Sequence, residues 1–392
     1  MSTRARACAH CLRRSWLLAQ LGPVLDYASG ACGRMMDLLA LEDADLLKAL
    51  GGSRRQELKT RYARAALHEI AAAEGTQPVC RHDRGYPAGL RFAAAPRALH
   101  VTGGARRLEQ LTQGPVAAIT GSRRASDYGV EMAKSLARGL AASGVTVALA
   151  LADGVSLAAL AGSLEAGGRA ICVVPSGLRV PVAARHQASL RRLVQVGCAV
   201  SELPPSARAR RAGLLMSART VAGLARVVIV VEAEKRVSDL AGARVARELG
   251  RRVAAVPGRV SSPLAAGPNG LLKEGAALIG GAADALELLY AGDDSAVARH
   301  DRDEVAHRAR VTRLQPRLRR VLAQVGAGSD TAEKLVAEGS RLDEVLLALS
   351  ELELLGFLAR GDGARYVPRE PVRCEARSAP LPRGKGADPR ST

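Results

Sequence analysis

Residues 116–150 read VAAITGSRRASDYGVEMAKSLARGLAASGVTVALA. The apolar run VAAIT predicts a buried strand, and Gly129–Ala142 carries apolar residues at helical spacing. Gly144 stands where that helix should stop, just before the second apolar run, VTVALAL. The same alternation continues through the strand candidates AICVVPS, CAVSEL, RVVIVVEA and RVAAVPG. Amphipathic stretches such as SLAALAGSLEA and LLMSARTVAGLA separate them. Near-continuous apolar strands alternating with helices predict an α/β domain over 114–291, a Rossmann-like doubly wound parallel sheet covered on both faces.

On either side the pattern changes. Residues 1–75 read as an N-terminal helical domain, followed by a Pro- and Gly-containing connecting segment, 76–113. A charged linker, 292–310, leads to residues 311–368, where three helical stretches precede a hairpin pattern turning at Gly361-Asp362-Gly363. That order predicts a winged helix. Asp330-x-x-Glu333 and Ser340-x-x-Asp343 are expected to cap its second and third helices. The third helix is acidic, with Asp343, Glu344, Glu351 and Glu353 against Arg341, and its Leu342, Val345, Leu346, Leu349 and Leu352 are expected in the core. Such a helix suits a protein contact better than a duplex reader. The basic, Pro-rich tail 369–392 is expected to be disordered.

Lys and Arg number 57 against 38 Asp and Glu, a formal net charge of +19, which favours an anionic partner. Aromatic residues make up 2% of the chain, so single-strand binding by stacked bases is disfavoured and phosphate contacts must dominate. No apolar run approaches the ~18 residues of a spanning helix, and a cytoplasmic protein without membrane contact is expected. Seven scattered cysteines fit reduced thiols better than a disulfide framework. Cys8-Ala-His-Cys11 has the spacing of a metal knuckle but no second pair at suitable distance. Cys80 and His82 complete a set only through a long-range coincidence, so neither metal nor cofactor is expected.

The turn ITGSRRASDYG, 119–129, falls where open parallel sheets gather ligands, beyond the carboxyl end of a strand. Gly121 permits close backbone approach, Ser126 is placed to cap the next helix, and Arg123 and Arg124 offer phosphate contacts. A G-x-G-x-x-G fingerprint is absent, as is G-x-x-x-x-G-K-[ST], so a dinucleotide enzyme and a P-loop NTPase are disfavoured. No convincing Ser-His-Asp arrangement appears, and neither His10 nor His186 receives a role. A binding protein is expected rather than an enzyme.

From about Tyr86 to Leu288 the sequence resembles the DprA (Smf) DNA-processing family. The resemblance rests on Tyr86-Pro87, GSRRASDYG, VVPSGL at 173–178, SELPP at 201–205, VAGLA at 221–225, VVEA at 230–233, VPG at 256–258 and GPNGLLKEGAALI at 267–279, in that order. It implies a Rossmann-type domain that binds single-stranded DNA, assists loading of the recombinase RecA in natural transformation, and pairs as a homodimer. It further implies DNA contacts from Gly121, Ser122, Arg123, Ser126, Gly129 and Arg219, to which the loop positions Arg124 and Gly154 are added as candidates, with Ser201, Glu202 and Glu232 holding loops. The family's S-G-x-A-x-G-I-D-x-x-A-H loop reads LALADGVSLAAL here, at 149–160. Its R-N-R reads Ser217-Ala218-Arg219, and its K-S-G-S reads Arg236-Val237-Ser238-Asp239. These changes imply a diverged member with fewer phosphate contacts. Two other classes fit the architecture less well. A phosphoribohydrolase-like nucleotide enzyme wants P-G-G-x-G-T, which VPGRVSS at 256–262 does not supply. A winged-helix transcription regulator is disfavoured by the acidic third helix.

Overall fold

The structure, a computed structural model, describes residues 7–28, 32–65, 70, 75–235, 237–291, 314–326, 329–337, 341–360 and 365–368. The linker, the basic tail, Ser340, Arg236 and the hairpin turn expected at Gly361–Gly363 lie outside the described residues. The chain forms two compact units, Met1–Glu304 and Val305–Thr392.

The first unit opens with helices α1 (Ala9–Ala28), α2 (Cys32–Ala40), α3 (Asp43–Leu50) and α4 (Arg55–Ala63). Strands β1 (Thr76–Cys80) and β2 (Ala98–Thr102) and helix α5 (Ala105–Gln113) follow. The alternating region then runs β3 (Val116–Thr120), α6 (Asp127–Ala142), β4 (Thr146–Ala150), α7 (Val155–Glu165), β5 (Ala170–Val173) and α8 (Ala184–Val196). It continues with β6 (Cys198–Ser201), α9 (Arg211–Leu224), β7 (Val227–Val230), α10 (Val237–Glu248), β8 (Arg252–Ala255), α11 (Ala266–Lys273), β9 (Ala277–Leu278) and α12 (Ala282–Tyr290).

One nine-stranded sheet results, in the order β1-β2-β6-β5-β4-β3-β7-β8-β9. Every pairing from β6 to β9 is parallel, while β1–β2 and β2–β6 are antiparallel. The segment read as a connector, 76–113, therefore supplies the edge strand β1, its inner neighbour β2 and a helix. β1 reads TQPVC and carries Pro78, which an edge strand tolerates, so it lacks the continuous apolar run of the central strands.

Strand residues alternate between two cores, as the period of two demands. Val116 and Ala118 of β3 join one cluster, with α1, α5, α9 and α10, while Ala117 and Ile119 join the other, with α6, α7 and α12. The N-terminal helices are thus part of the sheet's own unit. Buried polar groups tie the helices to one another and to the sheet. Arg14 donates to Asp43 (2.8 Å) and to the Leu39 carbonyl (2.8 Å), and Tyr62 Oη donates to the second Asp43 oxygen (2.5 Å). Arg97, just before β2, forks onto Glu42 with two bonds of 2.8 Å. Ser15 donates to the backbone carbonyl of Glu202, just beyond β6, at 2.5 Å.

The second unit comprises α13 (Pro316–Gly326), α14 (Ala332–Ala337), α15 (Leu342–Leu354) and an antiparallel pair, β10 (Leu358–Arg360) with β11 (Tyr366–Pro368). Val345, Leu349 and Leu352 enter its core with Leu318, Val321 and Leu335. Leu342 and Leu346 do not: both are exposed, as are Leu347 and Leu354. The helix is shorter on its buried side than its leucines suggest, because only one stripe faces α13 and α14. Asp330 bonds Lys334 Nζ (2.7 Å), whereas the Thr331 hydroxyl accepts from the Lys334 amide (3.3 Å).

Candidate nucleic-acid interface

The sheet order reverses at β3, whose neighbours are β4 on one side and β7 on the other. A crevice at such a switch point is the favoured ligand position in open α/β sheets. The loop 121–126 starts there. Its backbone is zipped to the segment after β7: Val231 N donates to Thr120 O (3.1 Å) and Ser122 N to Glu232 O (2.5 Å). The Ser122 side chain is buried and accepts from the Arg124 amide (3.0 Å), which closes a tight turn. Ser122 O accepts from Val155 N (3.1 Å) at the start of α7. Gly154 makes that approach possible. Its φ is +65°, and a Cβ there would lie 2.3 Å from Ser122 O.

The turn throws both arginines outward. Arg123 and Arg124 are exposed, and neither guanidinium has a partner among the described residues. Ser126 caps α6, its hydroxyl accepting from Gly129 N at 3.2 Å. That hydroxyl donates in turn to Glu232 Oε1 (2.6 Å), and the Ser126 amide donates to Oε2 (2.9 Å). Glu232 therefore occupies the position at the amino end of α6 where a phosphate was expected. Gly129 gives it room, since a Cβ at this position would stand 2.1 Å from Glu232 Oε2. Gly121 is likewise pressed against the Glu232 carbonyl, 2.4 Å from where its own Cβ would be. The helix dipole stabilises a resident carboxylate, so any incoming phosphate must be met by side chains and not by this helix end.

Arg219 belongs elsewhere. The resemblance implied a DNA contact, but the side chain is 1% exposed within α9. Its guanidinium pairs with Glu202 and donates to the Ala94 carbonyl. Glu202 is itself buried. Burial pushes the Glu202 carboxyl up, and the adjoining guanidinium opposes that shift. The arginine crosses from α9 to the segment before β2, where its charge is taken up by packing partners. Ser201 bridges two loops, donating to Ser176 O (2.7 Å) and accepting from Leu203 N (3.1 Å).

The diverged loop after β4 has its own tie. Asp153 accepts from Arg185 at 2.5 and 2.7 Å and contacts His186 Nε2 at 2.8 Å. Those bonds, led by Arg185, hold the Asp153 carboxyl down at about 2. Sequence reasoning gave His186 no role, and the i, i+1 Arg-His pair in α8 was the available signal. Ser156, at the family's Asp position, is buried in the first turn of α7.

Further exposed cations stand on neighbouring loops beyond the carboxyl ends of the parallel strands. Arg179 follows β5, Lys235 follows β7 and Arg259 follows β8. Together with Arg123 and Arg124 they give this edge its positive charge. The structure also gathers Cys8, Cys11, Cys80 and His82 into one cluster, which sequence reasoning had set aside as coincidence.

A sequence model of the family described as DNA recombination-mediator protein A matches residues 77–290. A DNA processing protein DprA of Mycobacterium tuberculosis is 37% identical over 262 residues, covering 66% of this chain and 66% of the relative. Protein Smf of Escherichia coli is 34% identical over 256 residues, covering 63% and 66%. The chain thus spans just under two-thirds of the length of these relatives. The X-ray structure of DNA processing protein A from Streptococcus pneumoniae superposes with a TM-score of 0.57 at 26% identity, covering 72% of this chain and 98% of that one. With a family match across more than half of its residues, the chain belongs to the DNA recombination-mediator protein A family.

Proposed function

We propose that the chain binds single-stranded DNA along the carboxyl edge of its parallel sheet and passes it to a RecA-type recombinase, acting by binding and without chemistry of its own. The observation that carries this is the pair Arg123 and Arg124, exposed and unpartnered among the described residues at the switch point of the sheet. Arg179, Lys235 and Arg259 extend the cationic edge on adjacent loops. With Glu232 seated at the α6 amino end, guanidinium groups hold the backbone phosphates, so affinity is strongly salt-dependent. No described helix is long and apolar enough to cross a membrane. Homodimer formation belongs to the same reading by family resemblance.

Reversing both arginines in Arg123→Glu/Arg124→Glu is expected to weaken oligo-dT binding by more than ~10-fold near physiological salt. It should also flatten the log–log salt slope by about 1.4, two phosphate contacts at ~0.7 each. Fluorescence anisotropy across a salt series measures both quantities. Because both side chains are exposed, thermal melting should be unchanged. An unaltered slope in a folded double variant removes the site.

The second unit is read as a winged helix that contacts protein. On α15, Glu351 pairs with Arg317 (2.7 Å) and Glu353 with Arg360 (3.1 Å), so basic side chains of neighbouring elements are drawn into ion pairs. Asp343 and Glu344 share the exposed surface with Leu342, Leu346 and Leu347, a mixture that repels phosphate and suits a protein surface.

A further inference from the structure

Cys8 lies immediately before α1 and Cys11 in its first turn, which the bond from Leu12 N to Cys8 O (3.1 Å) closes. That turn brings both sulfurs to one side. Cys80 ends β1, and the bond from Asp83 N to Cys80 O (2.8 Å) turns the chain so that the His82 ring faces back. The four ligand atoms, three Sγ and one Nδ1, all lie within 4.8 Å of one another. His82 Nδ1 stands 3.4 Å from Cys8 Sγ, 3.5 Å from Cys11 Sγ and 3.8 Å from Cys80 Sγ. In a tetrahedral zinc site, with Zn–S near 2.3 Å and Zn–N near 2.0–2.1 Å, the S···N edge is about 3.6 Å. Three edges of the cluster already have that length.

We propose that Cys8, Cys11, Cys80 and His82 bind one zinc ion in a closed Cys3His site that fastens the start of α1 to the end of β1. A closed four-ligand set is structural in character, with no position left for substrate water. Zinc displaces the three thiol protons and takes the Nδ1 lone pair of the neutral imidazole, so the site carries a net charge of −1. Arg97, bonded to His10 between the two cysteines at 3.2 Å, supplies neighbouring positive charge. The helix amino end favours the two thiolates placed there. The small core beside the cluster is built from Ala7, Leu12, Ile70 and Ala98 with Cys11 and Cys80 themselves, and Trp16 and Ala65 pack against it.

The test uses the full chain. Purified protein is expected to contain one zinc per chain by plasma mass spectrometry. After zinc removal, added Co²⁺ should give the intense visible bands of tetrahedral cobalt with thiolate-to-metal charge transfer. Cys8→Ser and His82→Ala alter exposed positions and should leave the fold intact, yet each should lower zinc affinity by roughly 100-fold, one ligand's share of a four-ligand site. Cys80→Ser should do the same, and Cys172→Ser, in β5, should not. Substoichiometric metal with no cobalt charge-transfer band overturns the proposal. So does full zinc content in folded Cys8→Ser and His82→Ala, or a disulfide among the three cysteines in protein purified without oxidant.

Discussion

Replacing Arg219 by Met is expected to cost about 3–5 kcal/mol of stability, because it strands the buried Glu202 carboxylate without its partner. Both charges are out of water, and the guanidinium also satisfies the Ala94 carbonyl. Replacing both members, Arg219→Met with Glu202→Met, removes the uncompensated charge and should recover most of the loss. Urea denaturation of the two single variants and the double variant measures the cycle. Single losses below ~1 kcal/mol would show that the pair does not hold α9 to the sheet. Reversing the charge at Arg219 would put two carboxylates in one buried site. Lost DNA binding in Arg219→Glu would therefore report unfolding, which is why the interface test rests on Arg123 and Arg124.

The second large effect is set by pH. His100, on β2, is fully buried, and burial pushes its pKa down to about 4. Its Nε2 lies 3.2 Å from Ser15 Oγ. Because the Ser15 proton goes to the Glu202 carbonyl, the ring donates from Nε2, leaving Nδ1 as the basic nitrogen. Nδ1 has no partner among the described residues, so protonation would place an unpaired charge in the core. The folded pKa is depressed below the unfolded value of about 6.5. The contribution is thus fully present above pH 6.5 and lost as pH falls through 4. A difference of ~2.5 pKa units corresponds to roughly 3 kcal/mol. Unfolding free energies from urea denaturation of the native chain and His100→Gln, followed from pH 7.5 to 4, should diverge by that amount. Parallel curves would show that His100 already shares its charge when folded.

How much of this was legible in the sequence follows from the range of the forces involved. The central strands and their helices announce themselves because burial on both faces requires continuous apolar runs. GSRRASDYG was legible as a turn at a strand end for the same local reason. Strands β1 and β2 were not: β1, at the sheet edge, needs no apolar run, and the pairing of β2 with β6 spans about a hundred residues of chain. The burial of Arg219 was not legible because a motif position says nothing about which way a helix faces. Glu232 at the amino end of α6 and the four-residue cysteine–histidine cluster likewise depend on contacts between distant segments. Exposed Leu342 and Leu346 show the converse error, in which helical spacing was taken as burial although only one side of α15 meets other helices.

The antiparallel insertion of β2 beside β6 has a consequence for synthesis. His100 cannot meet Ser201, nor Ser15 the carbonyl of Glu202, until about a hundred or more further residues have left the ribosome. Leu17, Leu18, Leu21 and Leu25 of α1 wait as well, because their core includes Ala212, Leu215 and Met216. At roughly 5–20 residues per second, the interval from α1 to α9 is on the order of ten to forty seconds. During it the apolar side of α1 can pack only against α2, α3 and α4, whose Met35, Leu39, Leu46, Leu47 and Leu58 share its core, while the surface that α9 will cover stays open to water.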